Sequence, residues 1–288
     1  MNSVKTAMIL MACAGPSFAQ NLPFAAFDRA GEAILNDPHD LELGPDGRIY
    51  VADKFANQIT VLDAETLQVV WSFGDAQLVG AHDISFGPDG MAYVAVTGAS
   101  RIDAFRLQGD TAQLAYRLEG LARTEGVLAH SNGRVYAMAS GTGQIIGFEG
   151  EKAVVAGGTL PGAHDVAEAP DGSIWIADTG RGRLVNVDPD LNLIRMLDDP
   201  KFGFAGPRYL DVDDFGRLVV ADQDAHRILL IDPDGPDGGT LLGVLGDGLP
   251  GKGPGRFDDP EGVLAIGSRY YFSDSDNNRV VRYSVVTN

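Results

Sequence analysis

PHDLELGPDGRIYVAD (residues 38–53) reads as a strand, a tight turn and a second strand. Asp40 to Gly44 alternates apolar and polar side chains, Pro45-Asp46-Gly47 turns the chain, and Arg48 to Ala52 is β-prone. The cassette returns five times, as AHDISFGPDGMAYVAV (81–96), TEGVLAHSNGRVYAMA (124–139), AHDVAEAPDGSIWIAD (163–178), PRYLDVDDFGRLVVAD (207–222) and PEGVLAIGSRYYFSD (260–274). The second residue of each copy marks the register: His39, His82, Glu125, His164, Arg208 and Glu261. These markers lie 39 to 53 residues apart, the period of blade-type repeats.

Two further β-prone runs follow each cassette, in the first copy Gln58 to Leu62 and Gln68 to Phe73. Four antiparallel strands repeated radially make a blade, so the expected fold is all-β, a six-bladed β-propeller. No stretch shows sustained helical periodicity. The last copy supplies three strands, and Pro23 to Arg29 (PFAAFDR) is the expected fourth, closing the ring from the N-terminal side. An aromatic ring recurs in the second strand as Tyr50, Tyr93, Tyr136, Trp175 and Tyr271, with Val219 in the fifth copy. Its expected role is packing between blades.

Residues 1–19 differ from the rest. Lys5, a short apolar run from Thr6 to Gly15 and Ser17-Phe18-Ala19 predict a secretory signal cleaved before Gln20, hence a periplasmic or secreted domain over 20–288. The run is too short to span a bilayer, so no transmembrane segment is expected. Cys13, the only cysteine, lies within it; a lipid-modified Cys13 is the alternative. The remaining chain has no thiol for a disulfide or thiolate metal site. The formal charge of −18 disfavours nucleic acid and anionic lipid as partners.

Chemistry is sought at the markers. Each begins an innermost strand, so the six form a belt around one channel mouth. If the blades run in order, His39 faces His164, His82 faces Arg208 and Glu125 faces Glu261. Three neutral imidazoles make an open site for a divalent metal, expected to be zinc before calcium, with His39, His82 and His164 as ligands. Glu125 or Glu261 is then the candidate base, and Arg208 or Lys54 the holder of an anionic group. Strict alternation sends the neighbouring Asp40, Asp83 and Asp165 to the opposite face of their strands. His226 and His130 read as surface loop residues. Gly246 to Gly253 lacks the Ser or Thr of a phosphate loop, and Asp232 to Gly239 lacks the closing glutamate of a calcium loop.

The cassettes PHDLELGPDGRIYVADKFANQITVL and PEGVLAIGSRYYFSDSDNNRVVRY resemble NHL repeats, and GDGLPGKGPGRFDDPEG resembles the connection that precedes one. The resemblance spans about residues 36–286. Within that superfamily the PH-plus-VAD pattern is similar to the peptidyl-α-hydroxyglycine α-amidating lyase family, which binds zinc through histidines at the strand start and uses a loop tyrosine and arginines. His39, His82 and His164 match those histidines, and Lys54 falls where the family has arginine. Phe55 stands where the tyrosine is expected, and the histidines occupy blades one, two and four rather than alternating blades. The resemblance thus implies a metal-binding propeller with a small-molecule or peptide ligand at the channel mouth, working as a metal-dependent lyase or hydrolase. The rival reading is a non-catalytic scaffold that binds a protein partner.

Overall fold

The protein is described here by a computed structural model over residues 24–74 and 77–286. The signal segment, Cys13 and Pro23 lie outside the described residues. The described chain forms six four-stranded antiparallel sheets, the blades of a propeller, with no α-helix among them. The innermost strands are Pro38–Leu43, Ala81–Phe86, Thr124–Ala129, Val166–Glu168, Pro207–Val212 and Pro260–Ile266. No described helix is long and apolar enough to cross a membrane.

Each cassette supplies the first hairpin of its blade. Gly47, Gly90, Gly133, Gly172 and Gly216 all hold positive φ at the turn, the conformation that glycine adopts without strain. The second strand ends on an aspartate in four blades, and in three of them its carboxylate holds the incoming interblade loop, while Asp178 accepts from Arg183. Asp53 accepts from the Asn36 amide, Asp222 from the Ala205 and Gly206 amides, and Asp274 from the Asp258 amide. This explains the recurring Val-Ala-Asp ending.

Sheets twist, so neighbouring blades meet on complementary faces and bury one apolar cluster per junction. Tyr50 packs edge-on against Phe86 of the next blade, and the equivalent Tyr93, Tyr136, Trp175, Val219 and Tyr271 each sit in a separate cluster. The ring of aromatics is packing, as the sequence implied.

Closure follows the expected route. Ala25–Ala30 pairs antiparallel with Arg279–Val285, giving the last blade its outer strand. Phe24 is buried against Tyr270, and Arg282 reaches Asp28 at 2.7 Å. Truncating Phe24 to Ala should cost about 3 kcal/mol or more, the range for a buried phenylalanine, and lower the thermal midpoint by several degrees. Phe27, 39% exposed, should cost less. Unchanged unfolding in both variants would show that this strand does not close the ring.

Candidate functional site

The belt depends on a backbone irregularity that recurs in all six blades. The strand register shifts at the marker, between Pro38 and Leu41, Ala81 and Asp83, Thr124 and Gly126, Pro207 and Tyr209, and Pro260 and Val263. In blade 4 both His164 and Asp165 bond the single residue Ala177. A β-bulge puts two residues opposite one and re-aims the side chains. The strict alternation expected for Asp40, Asp83 and Asp165 is therefore broken, and these aspartates line the axial channel beneath the belt.

They reach sideways there to the next blade. Asp40 accepts from the Ile84 amide, Asp83 from Val127, Asp165 from Leu210, and Asp211 from Ala265. Where the marker is glutamate the next residue is glycine. A Cβ on Gly126 or Gly262 would run into the His164 or His39 carbonyl of the adjoining blade.

The markers pair around the ring with adjoining blades rather than across it. The imidazoles of His39 and His82 lie 4.3 Å apart between centroids, and those of His82 and His164 lie 4.9 Å apart. All three are buried, as are Glu125 and Glu261. Glu125 approaches His164 Nδ1 with Oε2 at 3.2 Å and His82 Nε2 with Oε1 at 4.0 Å, and exposed Arg123 donates to Oε1 at 2.9 Å. His82, Glu125 and His164 offer ligand atoms that all lie within 4.8 Å of one another. Glu125 Oε2 has no aligned hydrogen bond despite its burial, so this donor set fits a divalent cation.

His39 stands apart from that triad because both its nitrogens are engaged. Nδ1 contacts Glu261 at 2.5 Å, with the carboxylate oxygen off the line of an aligned hydrogen bond. Nε2 faces Lys54 at 2.9 Å and Asp37 at 3.2 Å. Burial alone would push this imidazole down, but Glu261 and Asp37 outweigh it and favour the cation. For His82 and His164 burial is also the largest effect, and neighbouring cations add to it, so both are held well below the usual histidine range and are neutral.

One residue of the candidate site has no counterpart in the sequence reading. Tyr209, which follows Arg208, is fully buried under the belt, with its hydroxyl 2.8 Å from His82 Nδ1 and 3.1 Å from His39 Nδ1. The hydroxyl also donates to the His82 carbonyl at 3.0 Å. Its single proton is thus used, and it accepts from His82 Nδ1–H. That leaves the Nε2 lone pair of His82 facing Glu125, as a ligand requires.

Arg208 donates to His164 Nε2 at 2.9 Å and to Gln223 at 2.6 Å. Together with Lys54, Phe55, Asp37, Asp259 and Glu261 it lines a cleft of about 350 Å³ at the mouth. His226 accepts from the Asp259 amide, away from the belt. His130 is a correction: it is buried, not superficial, and bridges to the Gly172 carbonyl of the next blade.

No curated protein matches the chain in sequence. A family model described as "Domain of unknown function (DUF5074)" matches residues 44–201. Among solved structures the fold is similar to a catalytically inactive virginiamycin B lyase from Staphylococcus aureus with quinupristin, at 10% identity and a TM-score of 0.66, covering 90% of this chain and 99% of that one. It is also similar to PQQ-bound aldose sugar dehydrogenase from Streptomyces coelicolor, at 15% identity and 0.66, covering 91% and 98%. A third is an auxiliary nutrient binding protein from Bacteroides thetaiotaomicron, at 15% and 0.67, covering 87% and 69%. At such identities the likeness is one of fold.

The carboxylates below the belt carry a pH signature. Burial, then proximity to Asp40 and Asp213, outweighs the amides of Ala265 and Val212 and pushes Asp211 up to about 7; Asp40 rises to about 6, and Glu42, Asp83 and Asp165 go well above the carboxylate range. A raised folded pKa means stability that is present in full below the unfolded value and lost as pH rises through the folded one. His82 and His164, shifted the other way, lose stability only below about 6.5. The thermal midpoint should therefore fall by about 2–4 °C between pH 6.5 and 8. Asp211→Asn should reduce that fall, with the other raised carboxylates supplying the remainder. An equally steep fall in the variant would remove Asp211 as its source.

Proposed function

The chain belongs to the DUF5074 family, and from its belt we propose a propeller that binds a divalent metal, zinc before calcium, and a small-molecule or peptide ligand at the channel mouth. The observation that carries this reading is the buried His82–Glu125–His164 cluster with its unsatisfied carboxylate oxygen. The fold does not choose the chemistry, since a lyase, a dehydrogenase and a nutrient-binding protein share it. The NHL-like cassettes and the histidines shared with the amidating lyase family favour a metal-dependent lyase or hydrolase.

When bound, a divalent ion supplies Lewis acidity toward a carbonyl, hydroxyl or water. The chain's own groups divide the remaining work. Tyr209 fixes the tautomer of His82, and Glu261, outside the triad and lining the cleft, is the base in reach of a ligand there. Arg208 and Lys54 on the same wall suit an anionic group of the ligand. His39, held by Glu261 and Lys54, is a third ligand only if both release it.

The test is zinc binding by the purified protein. His82→Ala and His164→Ala should each weaken affinity by about tenfold or more, with non-additive losses in the double variant. Glu125→Gln should do the same if the carboxylate is a ligand, and His226→Ala should change nothing. His39→Ala separates the two ligand sets, since a loss as large as that of His82→Ala restores the three-histidine site. Unaltered binding in all the belt variants, or no binding by the wild type, would end the metal reading.

The scaffold reading has one observation of its own. The outer strand of blade 4 exposes Leu193, Ile194 and Met196, an apolar edge suited to a protein partner. A periplasmic or secreted location, with residues 1–19 removed, completes the proposal; intact mass of the exported protein should place Gln20 first.

A further inference from the structure

A neutral imidazole has one lone pair, and at His164 that lone pair is already taken. Arg208 Nε lies 2.9 Å from His164 Nε2. A guanidinium donates and never accepts, so Nε2 must be the unprotonated nitrogen. The ring proton is then on Nδ1, which faces Glu125 Oε2 at 3.2 Å. His164 thus turns an N–H toward the triad, out of line with Glu125 Oε2, and its lone pair toward Arg208, the reverse of what a ligand to a cation needs.

A cation shared with His82 and Glu125 must meet a bare nitrogen of His164. The other nitrogen then carries the proton and points at Arg208, setting N–H against N–H. Flipping the ring exchanges the two atoms without removing the conflict. The positive charge of the guanidinium opposes the ion in the same direction. Metal at the triad and the Arg208–His164 hydrogen bond therefore exclude one another.

We propose, on the basis of the metal reading above, that Arg208 is a latch: it occupies the triad in the metal-free protein, and metal entry releases it to bind a carboxylate- or phosphate-bearing ligand in the mouth cleft. The second half rests on where the guanidinium is anchored. Nη1 donates to Gln223 Oε1 at 2.6 Å, and Gln223 is itself held by Glu261 at 2.6 Å and Asp259 at 2.8 Å. Arg208 side-chain exposure is 25%, and the residue lines the cleft together with Lys54. Pivoting about Gln223 turns Nε from His164 and from Glu261 Oε1, 3.6 Å away, toward that cleft, where an anionic group would meet guanidinium and ammonium in competition with Asp37, Asp259, Glu261 and Asp276. Metal and anion would then bind with positive, reciprocal coupling.

Three measurements test this. Zinc affinity, read by competition with a chromophoric chelator, should be about tenfold tighter in Arg208→Met, because no charged hydrogen bond has to be broken. Nitrogen-15 spectra of histidine-labelled, metal-free wild type should show His164 protonated on Nδ1, a readout that needs no variant. Zinc should strengthen acetate binding to the wild type and do so less in Arg208→Met. Equal or weaker zinc binding by Arg208→Met, or a His164 proton on Nε2, would overturn the latch and leave the metal site standing. An equal gain in acetate binding in both proteins would overturn the release into the cleft. No zinc binding by either protein would overturn the metal reading and the latch together.

Discussion

The structure depends on how the innermost strand of each blade satisfies its open edge. One side of that strand pairs within its blade, while the other faces the channel axis, where no further strand can follow. Buried amides without partners are costly. The chain meets the demand with side chains of the preceding blade: Asp40, Asp83, Asp165 and Asp211 each accept one of these amides, and Ser85 accepts another. The ring is thus stitched at its axis by hydrogen bonds and at its wider radius by apolar clusters. The stitching brings five carboxylates into one narrow space, which is why several stay protonated at pH values where exposed acids do not.

The same stitching positions the belt. The bulge at the marker lets the marker and its successor both face inward, and in blades 1, 2 and 4 that successor is an aspartate; Asp40, Asp83 and Asp165 reach the next blade from there. The candidate site and the fold thus share one local irregularity. His39, His82 and Tyr209 meet only because three separate blades bulge at the same level.

Much of this was legible in the sequence. The six cassettes, their turn glycines and the Val-Ala-Asp endings contain the blade, and PFAAFDR contains the closure, because short-range patterns encode them. The bulges were not legible, since nothing in HD or EG announces an extra residue in a ladder that is otherwise strictly alternating. Pairing across the channel, expected from blade order alone, gave way to pairing with adjoining blades once side-chain reach was set by the backbone. His130 reads as a surface loop residue in sequence, yet its ring finds a carbonyl one blade away. The signal for Tyr209 lies one position past the marker: there three blades carry Asp and two carry Gly, and the one Tyr is the outlier that fills the space beneath the imidazoles.

The last blade is assembled from both ends of the described chain, with Ala25 opposite Val285 and Ala30 opposite Val281. A ring fastened this way has no privileged starting blade, and its seam is the contact with the largest separation along the chain. Such a contact carries the greatest loop-closure entropy and forms late on topological grounds. During synthesis the first five blades can stack while the seam waits for the C-terminal strands to leave the ribosome. A chain folding in that order would pass through an open horseshoe with an unpaired sheet edge at each end, the form a chaperone would have to shield.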